Sequence, residues 1–508
     1  MKSEGLRIWG GTAGMNPAEI GLVLTGATVS LGLLYLSPLL ALATALGIGA
    51  TFYFSRRVDH LLYFLILYLP LEEFLLKWLD YSLYPYLRYG IELIIYLILA
   101  GVICGKLARN EKLASSPIDL PLLLLAAAGL VSIFFNHIPV SAGILGLRPL
   151  LRYAAIFYLI QNSDLSDRIL PTVFKFIMLI TAVEIAIGLA QYLIGEEANY
   201  FLKPKSVLVG QTIVDFREKW QELYGGQKIF ATLGRYNLLG AFLVSALILS
   251  LGYRLQKGFL SLKEKLFALS GGLALLLSYS RLSWAGLLAG VATLLLIRKK
   301  FKFIVVAALI AGCAVMMLSS GATTLYQSET QGSLKDRLLG PLGGDYWQMN
   351  RSSQRLFAAS QLLNNISGWD LILGYGPGTI GSLVTNLREG ISQVHQIGDP
   401  KKLLIIGDVG WLALLGQIGL VGTGLFVWAL VALFRASRSI FNNSDSFWLK
   451  SFALGLCGYI VAMAVMNVFS LAFEARVSSA YFWILAGCVI KFAPQNSDST
   501  ERRRGVTP

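Results

Sequence analysis

Four arginines, one aspartate and one histidine carry the chemistry this sequence could perform. Arg235 sits in FATLGRYNLLGAFL (230–243), Arg281 in SYSRLSW (278–284), and Arg351 and Arg355 in NRSSQRLFAASQLL (350–363). A guanidinium binds phosphate oxygens through two parallel hydrogen bonds, so arginines converging on one surface suit a diphosphate. Arg351 and Arg355 are four residues apart and would share a helical face. Then follow ILGYGPGTIGS (372–382), VHQIGDP (394–400) with His395, and Asp408 at the edge of a long apolar run. A carboxylate there could take a proton from a hydroxyl. It could equally be the N-cap of a helix beginning near Val409. The two roles pull apart, because a helix N-terminus favours the ionised acid whereas desolvation favours the neutral one. His395 is a second candidate base if its loop folds back. The plainer readings are a headgroup or loop partner for Arg281, a solvated surface charge for Arg355, and a simple turn for GYGPG.

These residues are embedded in a very apolar chain. It has 508 residues, 55% hydrophobic and 14% charged, where a soluble protein carries about 25% charged. Apolar blocks approach the roughly 20 residues that a bilayer-crossing helix needs. The net charge of +14 collects in short segments between them, including SRRVDH (55–60), GKLARNEK (105–112), RKKFK (298–302) and FRASR (434–438). That is the positive-inside pattern and argues against nucleic acid as a partner. The expected fold class is an all-α polytopic integral membrane protein with about 14 transmembrane helices, both termini cytoplasmic. Spans are expected near 18–35, 39–55, 60–77, 85–105, 118–135, 144–160, 169–194, 231–252, 266–280, 283–297, 303–319, 411–433, 448–467 and 477–493.

The run 266–297 is too long for one upright helix at about 1.5 Å per residue. Basic flanks on both sides predict a hairpin with Arg281 at its outer tip. The rival is one tilted helix holding Arg281 in mid-membrane, at the cost of a buried charge. The whole of 1–508 reads as a single integral membrane domain. Within it, 195–230 is an extracytoplasmic loop, 320–410 a large folded extracytoplasmic loop over the site, and 494–508 a disordered cytoplasmic tail. The first apolar block is followed directly by a second, so no cleavable signal is expected. Cys104, Cys313, Cys457 and Cys488 lack metal spacing and read as small core residues.

At TLGRYNLLGAFL, SYSRLSWAG, RLFAASQLL…GYGPGTIG, DVGWLALLGQIGLVG and NVFSLAFEARVSSAYFWILAG (467–487) the chain resembles the O-antigen ligase and polymerase superfamily of bacterial envelope glycosyltransferases. The resemblance implies a multi-pass inner-membrane enzyme with its site on the outer face under the large loop. It implies a glycan donor on undecaprenyl diphosphate and no metal or other cofactor. Arg281 and Arg355 match the family's diphosphate-binding arginines. Membrane lipids and, as further partners, chain-length-regulator and flippase proteins are implied as well. Where ligases resemble His-Asn-x-x-Leu followed by Glu-x-Gly-x-x-Gly, this chain has Asp408 at the histidine and Gln417 at the glutamate. That departure resembles the polymerase side, which joins lipid-linked repeats into O-antigen, capsule or exopolysaccharide. A ligase handing finished glycan to lipid A-core or another acceptor is the alternative. A transporter without chemistry is the other, and it would favour charges deep inside several helices. Only Glu184 lies clearly in mid-helix, with Glu92 a candidate second, so transport ranks below the enzyme readings.

Overall fold

The computed structural model describes residues 38–79, 84–204, 207–209, 212–214, 228–258, 261–299, 359–380 and 409–493. They are helical almost throughout. Helices α1 (Pro38–Arg56), α2 (Val58–Leu76), α3 (Tyr84–Ala108), α4 (Asp119–Phe135), α5 (Val140–Leu151), α6 (Ala154–Asn162), α7 (Ile169–Ile194) and α8 (Glu196–Leu202) form the first half. A small antiparallel hairpin follows, with β1 (Val207–Val209) paired to β2 (Thr212–Val214). The second half holds α9 (Tyr236–Lys257), α10 (Leu262–Leu277), α11 (Arg281–Ile297), the short α12 (Gly368–Leu373), α13 (Gly410–Asn443), α14 (Phe447–Met466) and α15 (Arg476–Lys491).

Every expected span within the described residues coincides with a helix except 144–160; the spans 18–35 and 303–319 lie outside them. Among the described residues, five helices are long and apolar enough to cross a membrane: Tyr86–Ala108, Ile169–Ile194, Tyr236–Lys257, Gly410–Asn443 and Phe447–Met466. The expected span 144–160 is instead a broken pair, α5 and α6, bent by 61°, which would be a sixth crossing if taken as one. The bend falls at Arg152 and Tyr153, three residues beyond Pro149. There Arg148 and Arg152 turn into the protein toward Glu92 instead of facing lipid.

The run 262–297 is also two helices, broken at Ser278–Ser280 with Tyr279 at φ 54°. Their directions follow from their contacts with α9. At one end, Lys257 of α9 pairs with Glu264 of α10 at 3.0 Å, and Arg298 beyond α11 donates to the Leu255 carbonyl at 2.9 Å. At the other end, Ile229 N–H donates to the Leu277 carbonyl at 3.3 Å, and Ser280 and Ser283 lie against Gly240. So α10 runs antiparallel to α9 and α11 parallel to it, which makes 262–297 a hairpin. Ser261 and Glu264 start α10 with a reciprocal capping box, satisfying two otherwise orphan amides.

The same reasoning sorts the whole bundle into two ends. Arg57, Lys106, Arg254, Lys257, Arg298 and Lys491 belong to the basic end, where the Tyr253 ring lies on Trp448 (5.3 Å) and Phe174 (4.7 Å) and Lys491 reaches the Gln161 carbonyl at 3.0 Å. The distal end gathers the N-termini of α9, α11, α13 and α15, the C-termini of α2 and α14, and the segment 374–380.

The core is tightest where α9, α11 and α14 meet. A Cβ on Gly252 would lie 2.9 Å from the Ser451 carbonyl, and one on Gly290 would lie 3.0 Å from the Gly458 carbonyl. A side chain on Gly458 would overlap Leu294. Small residues let helix backbones approach where lipid supplies no hydrophobic drive. We therefore expect Gly458→Leu to cost about 3 kcal/mol by overpacking, read as a lowered thermal unfolding midpoint of the detergent-solubilised protein.

Candidate functional site

The distal end brings together two of the arginines singled out in the sequence. Arg281 is the first residue of α11, partly buried. It is held there by a compact turn: Ser280 and Ser283 share a hydrogen bond of 2.7 Å between their Oγ atoms, and Trp284 Nε1 donates to the Leu275 carbonyl at 2.8 Å. A Cβ on Gly240 would sit 2.8 Å from Ser280 Cβ, so α9 approaches this turn closely because residue 240 has no side chain.

Arg235 is exposed and precedes α9. The segment leading to it is fixed by buried polar groups of α7. Gln191 Oε1 accepts from the Phe230 and Ala231 N–H groups at 2.9 and 2.8 Å. Glu184 accepts from Thr232 N–H at 3.1 Å, and Thr232 Oγ1 donates to Glu184 and to the Pro70 carbonyl. Gly234, at φ 75°, then turns the chain into Arg235. Glu184 is thus the buried charge anticipated in the sequence, and its work is to hold this entry segment.

Segment 374–378 docks against α13. That helix breaks at Gly419, with φ 64° and ψ −169°, and a break removes the N–H donors that would have served the preceding carbonyls. The Gly416 carbonyl instead accepts from Tyr375 N–H at 2.8 Å, and the Gln417 carbonyl from Gly376 N–H at 3.1 Å. Gln417 Oε1 accepts from Gly378 N–H at 3.0 Å, and Asn136 Nδ2 donates to the Gly374 carbonyl at 2.9 Å. Gly374 has φ 76°, and a Cβ there would strike the Gln417 backbone. The glycines of GYGPG therefore serve close main-chain approach. Gln417 is part of a structural clamp.

Arg351, Arg355, His395 and Asp408 lie outside the described residues. Helix α13 begins at Gly410, with Val409 in the cap position and no side-chain cap bond, one residue later than the expected start. His137 is exposed at the distal end and His60 lies by Arg57 at the basic end. Among the described residues no group of three or more His, Cys, Asp or Glu side chains could hold a metal ion.

Sequence reasoning missed a cluster of charges at the same end. Arg476, first residue of α15, is buried and donates to both oxygens of Glu72 at 2.7 and 2.6 Å and to Glu92 at 2.5 Å. Arg148 Nε donates to Glu92 at 2.9 Å, Arg152 Nη1 stands 3.7 Å from Glu92, and Arg152 also donates to the Glu474 carbonyl. Arg88 pairs with Glu73 at 2.9 Å. The available signal was acids and arginines at the same end of several apolar segments; their mutual pairing was not legible.

No known protein-family model matches the chain, and no curated protein matches it. The described residues form a helical protein with five, or with the bent pair six, helices able to cross a membrane.

Two predictions follow from this geometry. Gly374→Ala should lower the unfolding midpoint of the purified protein, because the methyl meets main chain on α13 and residue 374 must keep a positive φ; the cost should exceed about 1 kcal/mol. The second concerns Glu474, in the turn before α15, whose carboxyl burial pushes up from 4.5 to about 7 against the opposing charge of Arg152. An acid raised by folding contributes stability below its unfolded pKa and loses it as pH rises through the folded value. The unfolding midpoint should therefore fall between about pH 5 and about pH 7.5, and Glu474→Gln should flatten that slope.

Proposed function

We propose that the chain is a glycosyltransferase of the bacterial inner membrane that polymerises undecaprenyl-diphosphate-linked oligosaccharide repeats at the outer face. The observation that carries the reading is the break at Ser278–Ser280. It makes 262–297 a hairpin and lifts Arg281 to the end opposite the basic one. Under the positive-inside rule the basic end faces the cytoplasm, so Arg281 and Arg235 face outward. About 14 spans with both termini inside, and the large loop 320–410 above the site, complete this topology.

In this reading Arg281 and Arg355 grip the donor diphosphate, with Arg235 and Arg351 adding positive charge nearby. Cleavage of the glycosidic bond leaves extra negative charge on the departing lipid diphosphate, and guanidinium groups stabilise that charge where it develops. Asp408, or His395, orients the acceptor sugar hydroxyl and takes its proton as the new bond forms. The resemblance to the polymerase and ligase superfamily, with Asp408 where ligases have histidine, supports polymerisation over ligation.

The buried charges bear on the transporter reading. Glu72, Glu92, Glu184 and Arg476 are buried on four helices. Glu72, Glu92 and Arg476 pair with one another at one end instead of lining a path. Glu184 is engaged by Thr232. That pattern favours a structural use of the charges over a conduction route.

The test is the size distribution of lipid-linked and surface glycan in a deletion strain carrying the parent gene, Arg281→Ala or Arg355→Ala. Single repeats on the lipid carrier and loss of long chains, with the variant protein still in the membrane, are expected for both variants. Normal chain lengths in both would remove the diphosphate role. Full-length chains stranded on the carrier in the deletion strain would mean ligation instead.

A further inference from the structure

Helix α8 bridges the distal ends of two other helices. Helices α2 and α7 lie side by side, with the Tyr63 and Phe176 rings 5.1 Å apart, and both run from the basic end to the distal end. Gly195, at φ 80°, stops α7 and turns the chain directly into α8. The first residues of α8 therefore sit at the end of α7. Its last residues sit at the end of α2: the Phe201 ring lies 5.5 Å from Phe74 and 6.1 Å from Trp78, and Lys77 Nζ donates to the Phe201 carbonyl. The 7 residues of α8 span about 10 Å. That is close to the roughly 8–10 Å between two packed helices. So α8 lies across the ends of α2 and α7 and extends neither.

The two sides of this crosspiece differ. Asn199 and Leu202 are buried beneath it, and Asn199 accepts from Gln191 Nε2 of α7 at 2.7 Å. On the open side Tyr200 is 78% exposed and Phe201 54%, next to Trp78 at 65% and to Leu193 at 84% on the last turn of α7. Contiguous exposed apolar surface marks an interaction site, with protein or with membrane. Leu193 belongs to a helix long and apolar enough to cross a membrane, so this surface continues one that faces hydrocarbon. The charges among the rings fix its depth. Lys203 Nζ lies 5.3 Å from the Tyr200 ring centre and Lys77 Nζ 4.7 Å from that of Trp78. Glu196 and Glu197 are exposed one turn earlier on α8. Such a set of charges excludes the hydrocarbon itself. Trp and Tyr rings beside lysines that keep their heads in water belong at the headgroup level. The same charges argue against a second copy as the cover, since the core of a protein interface is depleted in Lys and Glu.

We propose that α8 and the end of α2 form an interfacial anchor, seated in the headgroup layer of the membrane through Trp78, Tyr200, Phe201 and the two lysines. The topology proposed above makes that layer the outer leaflet. The anchor is tied to the candidate site. Gln191, which donates to Asn199, also accepts from the Phe230 and Ala231 amides. A Cβ on Gly234 would meet Pro204, two residues past α8, at 3.0 Å. The lipid surface thus sets the height of the turn that presents Arg235 and holds it at the depth of the lipid phosphates.

The experiment places a photoreactive residue in the full chain, Tyr200→p-benzoylphenylalanine, reconstituted in vesicles of phosphatidylcholine and phosphatidylglycerol. The mass of the cross-linked peptide identifies what covers the position. A phospholipid adduct as the main product is expected. A cross-link to a second copy or to another segment of this chain, or no adduct at all, would overturn the anchor. A second measurement uses a natural ring. Trp78→Phe should remove emission that bromine near the headgroup end of the acyl chains quenches more than bromine near their methyl ends, and that aqueous iodide hardly quenches. Equal quenching at both depths, or quenching by iodide alone, would overturn it as well. Both measurements read lipid contact and not glycan transfer, so their failure leaves the transfer reading standing, and failure of that reading leaves the anchor.

Discussion

Arg476 opens the last helix with its guanidinium out of reach of solvent, and its donors reach carboxylates on two other helices. Glu72 binds it from α2 and Glu92 from α3, and Glu92 also holds Arg148 at the end of α5. In an apolar bundle, removing one partner of such a pair is far more costly than the pair is worth, because the other charge is left buried. The network therefore acts as a constraint more than as a source of stability. It sets where α15 begins, how α2 and α3 approach it, and why the segment 140–162 must bend to bring its arginines inside. Four elements far apart in the chain share one geometry because one acid answers to three arginines.

The same rule, that a polar group inside the bundle must find its partner within the protein, recurs at finer scale. Pro70 in α2 lacks an N–H, which leaves the Ile66 carbonyl without its helical donor; the Tyr481 hydroxyl of α15 supplies it. The break at Gly419 frees two carbonyls of α13, and the main chain of 375–376 takes them. Gln191 and Glu184 of α7 satisfy the amides of the turn before α9. The irregularities at Pro70 and Gly419 are thus docking points for other segments. Besides α15, the segments docked are the turn that leads to Arg235 and residues 375–376.

Helix positions were legible because apolar run length and basic flanks are local properties of the chain. The hairpin at Arg281 was legible for the same reason. The bend at Arg152 was not, since 144–160 is apolar enough for one span and the arginines' partners lie on α3 and before α15. Glu72 and Arg476 were missed as a pair because 404 residues separate them, and no periodicity reports such a contact. The clamp of Gly374–Gly378 on α13 was half legible: the glycines signalled close approach, while the surface approached was hidden inside what read as an uninterrupted helix. Asp408, the residue on which the sequence reading turned, and its companions Arg351, Arg355 and His395 lie outside the described residues, so their roles rest on spacing and resemblance.

The clamp also fixes how the chain can change. Ile380 packs near Gly416, and the chain re-enters α13 at Gly410, six residues earlier, about 9 Å along the helix. The residues between, 381–408, thus depart from and return to neighbouring points of a single helix. Closing a loop whose ends are already held together costs only about 0.6 kcal/mol more for each doubling of its length. A change of a few residues in the length of that stretch would therefore add well under about 1 kcal/mol of closure cost. What the clamp holds constant is the pair of anchor points on α13, whatever the length of chain between them.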